Sequence, residues 1–247
     1  MAVQIITPYV NEIEIEKHYE QFWEYDIYYE KDEARIGSDL MFQKMWNKFP
    51  NDDIFILHAD MFPYEKGWLE KILQYVDKYP DVGIFGCLLL YPAKNAEDKH
   101  YIQSAGGRFN NGQPDHFGSG LVLETGAMFK ELEVDKGQYD NVREVAWTTF
   151  GGCYIRRSVI NDTQGFSPDF EWTYNRDVDL CLRARSLGYK IYQIPVKLFH
   201  HESRDNKMIK AADINKIGME MRNLERLQTK WANSKFYKNL DKIIENA

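Results

Sequence analysis

Apolar and polar residues change period several times along this chain, and each change marks an element. The opening "AVQIITPYV" is a β-branched run broken by Pro8, which reads as a short strand. In "EIEIEKHYEQFWEY", Ile15, Tyr19, Phe22 and Trp23 fall at helical spacing, and "DIYYE" reads as a second strand. In "SDLMFQKMWNKF", Ser38 suits a helix N-cap, and Leu40, Met41, Met45, Trp46 and Phe49 form one apolar face. "DIFIL" is a third strand, "KGWLEKILQYVDKYP" an amphipathic helix stopped by Pro80, and "VGIFGCLLLY" a continuous apolar strand. Strand–helix alternation with short links predicts an α/β fold, with a mostly parallel central sheet covered by helices on both faces. Ligands of such sheets sit outside the carboxyl ends of the strands.

The period is lost over residues 92–145, where "SAGGRFNNGQPDHFGSG" is dense in Gly, Asn and Pro. Hairpins and loops over the ligand edge are expected there. Regular pattern returns with "VAWTTFGGCYIRRSVI", a strand leading into a short helix. "DVDLCLRARSLG" is a helix with Gly188 as its stop, and "YKIYQIP" a last strand followed by "VKLFHHES". From 205 onward the chain is helical and polar, with Ile217, Met221, Leu224, Leu227 and Trp231 recurring on one side. The expected organisation is one domain over 1–204, divided near 91, and a helical extension over 205–247. Packing of that tail on the domain is expected; membrane-surface docking and dimerisation are its alternatives.

Composition narrows the function. The chain has 247 residues, 44% hydrophobic and 15% aromatic, enough for a sizeable core. A net charge of −7 argues against a nucleic-acid binder, which needs a basic face, but not against a nucleotide ligand. Cys87, Cys153 and Cys181 are far apart in apolar settings and form no CxxC pair, which points to core thiols in a reducing compartment. No signal peptide or membrane-spanning run is evident, so a cytoplasmic location is expected, peripheral to the membrane if the tail docks there.

Three groups of residues carry candidate chemistry. His58-Ala59-Asp60 closes the third strand; two strand residues at i and i+2 point the same way, and an imidazole with a carboxylate suits Mn²⁺, or Mg²⁺ through the carboxylate. A strand-end Asp also commonly caps the next turn. Asp177 and Asp179 look like a pair, but two helical steps turn about 200° and separate them. Asp179 has Arg183 at i+4, whereas Asp177 at the helix start serves as an N-cap or as a general base. His200 and His201 follow the last strand and alternate in direction, so one of them faces the ligand edge. The P-loop, nucleophile-elbow, dinucleotide and HExxH signatures are missing.

Taken in order, these segments resemble family 2 glycosyltransferases of the GT-A fold, especially the rhamnosyltransferase-like bacterial branch. "IITPYVNE" looks like that family's opening strand and turn, and "FILHAD" stands where the family has a strand ending in D-x-D. "YIQSAGGRFNNGQPDHFGSG", "TFGGCYIRRSVI", "GFSPDF" and "YNRDVDLCLRARSLGYKIYQIP" followed by "HHES" are similar to its later blocks. The similarity covers roughly Val3 to Ser203.

The resemblance implies a single GT-A domain, 1–91 binding nucleotide and 92–204 binding acceptor, that moves a sugar with inversion. The sugar would pass from a UDP, GDP or dTDP donor to a glycan or lipid-linked acceptor. It implies Asp60 and His200 as ligands of Mn²⁺ or Mg²⁺, with His201 as the fallback, and Asp177 as base. It places Thr7, Pro8, Glu30, Asp32, Arg35, His58, Gly151 and Gly152 at the donor, and Trp172 and Arg176 at the acceptor. The chain departs from the family pattern at three places. His58 replaces the first Asp, Arg176 replaces a Glu, and "DIYYEKDEARIGSD" is short. The first two departures motivate the alternative of a non-catalytic nucleotide-sugar or glycan-binding module of the same fold. Oligomeric state is not specified by any of these features.

Overall fold

The computed structural model describes residues 2–93, 99–110, 112–119, 121–124, 127–130, 132–171, 174–201 and 216–234, with 237, 240, 242 and 244. The first half alternates as its hydrophobic pattern dictates: β1 (Val3–Tyr9), α1 (Glu12–Phe22), β2 (Ile27–Lys31), α2 (Ser38–Trp46), β3 (Asp53–Leu57), β4 (Met61–Pro63), α3 (Trp68–Lys78) and β5 (Val82–Tyr91). Short strands follow: β6 (Tyr101–Ser104), β7 (Gly107–Asn110), β8 (Gln113–His116), β9 (Leu121–Glu124), β10 (Ala127–Lys130) and β11 (Arg143–Glu144). The chain then forms β12 (Gly152–Ile155), α4 (Arg157–Thr163), α5 (Arg176–Ser186), β13 (Lys190–His200) and α6 (Lys216–Trp231).

The main sheet runs β11-β13-β5-β12-β3-β1-β2, with β4 added to β13 and β6 to β5. β1, β2, β3, β5 and β13 share one direction, and β12 runs against its neighbours β3 and β5. Alternation along β3 shows why its apolar run is unbroken. Ile54 and Ile56 pack with Met41, Phe42 and Trp46 on one face. Phe55 and Leu57 pack with Phe22, Trp68 and Ile72 on the other. Each such buried side chain contributes about 1.5–3 kcal/mol relative to exposure.

Several local expectations are corrected. On α1 and just after it, Tyr19 and Trp23 are 61% and 70% exposed, and among the described residues His18 and Phe22 are buried. Of the expected stripe, Phe22 is buried and Ile15 half-buried, and His18 takes the core position over Phe22, with ring centroids 4.3 Å apart. Ser38 does not cap α2; Gly37 is the N-cap, and the preceding turn is held by Asp32, whose carboxylate accepts from Ile36 N–H at 3.0 Å and Gly37 N–H at 2.9 Å. The last strand does not stop at Pro195 but continues to His200, with its register against β5 shifted between Ile194 and Lys197. That irregularity absorbs a proline that lacks an N–H for the ladder.

The end of the chain packs back onto the domain through α6, where Met219, Asn223 and Leu227 are buried. Among the described residues, no helix is long and apolar enough to cross a membrane.

Candidate functional site

β3 delivers His58 and Asp60, but not as strand residues. The strand ends at Leu57, and a turn closed by Met61 N–H to His58 C=O, 3.0 Å, carries both. The chain then returns as β4, which pairs antiparallel with the end of β13: Leu198 faces Pro63, Phe199 faces Phe62 and His200 faces Met61. His201 N–H donates to Asp60 C=O at 3.0 Å and continues this pairing. His58, Asp60 and His200 thereby converge, each offering one ligand atom within 4.8 Å of the others. His201 points away, its ring edge-on to Phe62 at 5.0 Å.

The donor set fits a divalent cation. His200 Nδ1 lies 2.6 Å from Gln103 Oε1 on β6, and its Nε2 lies 3.3 Å from Asp60 Oδ2. A carbonyl oxygen only accepts, so Nδ1 carries the proton and a neutral His200 aims the Nε2 lone pair at a carboxylate. Two electron-rich groups in that arrangement need a positive charge between them, supplied by a proton on His200 or by a cation. Gln103 is the kind of outer partner that sets the tautomer of a metal-bound histidine. Burial pushes the Asp60 carboxyl up, but the His200 hydrogen bond and the charges of His200 and His58 outweigh it and hold Asp60 well below the usual range. His58 lies against Phe42, ring centroids 5.2 Å apart, and presents its ring to His200 at 82° and 6.3 Å.

Asp177 is the second titratable centre. It sits in the first turn of α5, where its Oδ1 accepts from Val178 N–H at 2.9 Å. Burial pushes its carboxyl up to about 6, against hydrogen bonds from Val178, its own N–H and Phe150. Phe150 also ties the two centres together. Its backbone N–H favours the ionised Asp177 carboxyl, and the next residue, Gly151, accepts from His58 N–H at 3.1 Å. The His58–Asp60–His200 cluster and the half-buried Asp177 are therefore linked through adjacent residues that lead into β12.

The other candidate residues are spread around these centres. Thr7 is buried on β1 and its Oγ1 makes no hydrogen bond among the described residues, while Pro8 is in register with Glu30 on β2. Glu30 is held by Lys44 at 2.7 Å and Lys48 at 2.9 Å, and Asp32 caps the turn before α2. Arg35 is exposed in that turn with φ 55°. A Cβ on Gly151 would lie 2.2 Å from Met61 Cε, and one on Gly152 2.4 Å from Leu198 Cδ1, so both glycines let β12 approach the β4–β13 pair. Arg176 is buried beside Asp177, donates to the Phe170 carbonyl, and feels the charge of Asp39. Trp172 lies outside the described residues.

Two participants were not legible. Gln103 stands in a quoted segment, "YIQSAGG", but nothing in the sequence links it to His200. Asp179 pairs with Arg183 as its i+4 spacing predicts. It is fully buried, and its carboxylate also accepts from Trp231 Nε1 at 3.0 Å and pairs with Lys230 at 3.1 Å.

The mostly parallel sheet between helices forms a GT-A-like fold. The crystal structure of GalNAc-T7 with UDP, GalNAc and Mn²⁺ is similar over 81% of this chain, with a TM-score of 0.55 and 11% identity, and this chain covers 43% of that one. A197 from STIV is similar over 81% of this chain and 85% of its own, with a TM-score of 0.44 and 12% identity. No protein-family model matches the sequence. The uncharacterized protein y4gI of Sinorhizobium fredii (strain NBRC 101917 / NGR234) is 27% identical over 155 residues. That match takes in 62% of this chain but only 15% of the relative.

Proposed function

We propose that the protein is an inverting glycosyltransferase that moves a sugar from a nucleoside-diphosphate donor to a hydroxyl of a glycan or lipid-linked acceptor. The observation that carries this reading is a pair of carboxyls prepared in opposite senses. Asp60 is held ionised in a His58–Asp60–His200 cluster, and Asp177 is held as a weaker acid by burial. Environments that push two carboxyl groups apart mark separate roles in catalysis.

Asp60, His200 and His58 would hold a divalent metal, Mn²⁺ or Mg²⁺. When bound it supplies Lewis-acid neutralisation of the departing diphosphate. Asp177 takes the proton of the acceptor hydroxyl as that oxygen bonds to the anomeric carbon. The bond from that carbon to the diphosphate oxygen breaks, and its electron pair leaves with the nucleoside diphosphate. A base near 6 is mostly ionised at neutral pH and is still basic enough to accept a proton in the transition state. Thr7, Pro8, Glu30, Asp32, Arg35 and the Gly151–Gly152 backbone are the donor-side residues of this reading, and Trp172 and Arg176 the acceptor-side ones. The domain over 1–204 would hold both substrates, in halves that divide near 91.

The test is a screen of UDP-, GDP- and dTDP-sugars for Mn²⁺- or Mg²⁺-dependent release of the nucleoside diphosphate, paired with calorimetric titration of each nucleotide. Metal-dependent turnover of at least one donor is expected, lowered at least about 100-fold in Asp177→Asn. Failure of every nucleotide to bind, with and without metal, rejects the reading.

A further inference from the structure

Asp177 enters its helix from a strained loop. Tyr174 and Asn175 are consecutive non-glycine residues with φ of 66° and 61°. A Cβ disfavours that region, so such backbone persists where its surroundings over-determine it. Much of what holds it comes from α6, far along the chain. Asn223 is fully buried and turns its carboxamide on the loop's backbone. Its Oδ1 accepts from Glu171 N–H at 2.9 Å, and its Nδ2 donates to Glu171 C=O at 2.8 Å and Tyr174 C=O at 3.2 Å. The Glu171 carboxylate is taken in turn by Arg222 at 2.6 Å and Arg226 at 2.7 Å.

The same helix grips the other side of Asp177. Lys230 and Trp231, at its last turn, bond to the buried Asp179 carboxylate. Positions 222, 226 and 230 form one i+4 row, and 223, 227 and 231 the adjacent one, so neighbouring rows of α6 reach both flanks. A tail that served only to cover the domain would do so with apolar contacts. A fully buried amide spent on the backbone of a strained loop gives geometric definition instead, because each bond is directional and costly to leave unmade.

We propose that α6 is a clamp for the backbone that leads into α5 at Glu171, Tyr174 and Asn175, with Asn223 as the positioning residue that sets where Asp177 stands. The catalytic part of this statement rests on the reading of Asp177 as base; the clamp itself does not. The loop's placement then depends on residues some fifty positions downstream, so that removing the α6 contact leaves the donor side complete and the base misplaced.

The experiment compares the full chain with its Asn223→Ala and Asn223→Asp variants. The second keeps the side chain's size and its bond from Glu171 N–H but removes both donors. Hydrogen exchange is followed in peptides spanning 166–180 and in β3 and β5, together with Mn²⁺ affinity and the donor kinetics. Exchange over 171–176 at least roughly tenfold faster is expected, with β3, β5 and Mn²⁺ affinity unchanged. A fall in kcat of about 10–100-fold at constant donor KM is expected, in keeping with the sensitivity of catalysis to misplacement of about 1 Å. Wild-type exchange rates over 171–176 in both variants overturn the clamp. Faster exchange with undiminished kcat overturns Asn223 as a positioning residue. Exchange that rises equally in β3 and β5 reduces the contact to general stability. If the wild type turns over no donor, the base reading falls, and the exchange data still decide the clamp.

Discussion

Asp60 and Asp177 are two carboxyl groups at one end of one sheet, and they are prepared in opposite ways. Asp60 lies in the turn between β3 and β4, beside the end of β13, faced by two imidazoles, and its ionised form is stabilised against burial. Asp177 lies at a helix start, where dipole and backbone N–H groups also favour charge, yet burial wins and lifts it to about 6. The difference is one of partners. A cationic or cation-binding neighbour reverses the effect of burial, and backbone donors alone do not. One centre is thereby suited to holding positive charge and the other to accepting a proton.

The largest effect should come from removing the proton acceptor. Asp177→Asn is expected to lower transfer by roughly 10²–10⁴-fold while leaving Mn²⁺ affinity as in the wild type, measured by turnover and titration on the same preparation. Equal turnover in that variant would erase the distinction between the two carboxyls. Asp60→Asn should do the converse. Mn²⁺ affinity is expected to drop by at least about 100-fold, since a ligand should matter at least as much as its outer partners. Gln103→Leu tests the tautomer argument: the His200 ring loses its acceptor, and Mn²⁺ affinity is expected to weaken by about 10–100-fold with the fold intact by circular dichroism.

The smallest effect is the one that pH reads. The groups facing Asp177 are backbone N–H donors of Phe150 and Val178 and the buried thiols of Cys153 and Cys181, both of which feel its charge. Its base form exists above about 6, so kcat is expected to fall about tenfold per unit as pH drops below that value. Its effect on stability has the opposite sign. A carboxyl raised in the folded state favours folding most below its unfolded value, near 3.9, and that contribution is lost as pH rises through about 6. A kinetic inflection near 4 instead would show Asp177 solvated and unlike the buried group described here.

Most of the fold is readable because buried parallel strands and amphipathic helices leave distinct patterns in the order of apolar and polar residues. β3 and β5 are unbroken apolar runs because both sheet faces are covered. Misreadings occurred where one residue replaced a pattern, as with His18 in the core stripe of α1, or where a register shift let β13 run past Pro195.

The site divides in the same way. His58, Asp60, Asp177 and His200 were each identifiable as chemistry-bearing residues at the ends of predicted elements, since local geometry needs only neighbours in sequence. Their assembly was not readable. The short strand β4 and its pairing with β13 bring Asp60 and His200 together, and β6 supplies Gln103 to set the tautomer. The burial that lifts Asp177 and the α6 contacts that hold its loop likewise come from residues distant in the chain. Side-chain type and local period are properties of the sequence itself. Desolvation, tautomer and long-range hydrogen bonds are properties of neighbours in space, and only the tertiary structure decides which neighbours those are.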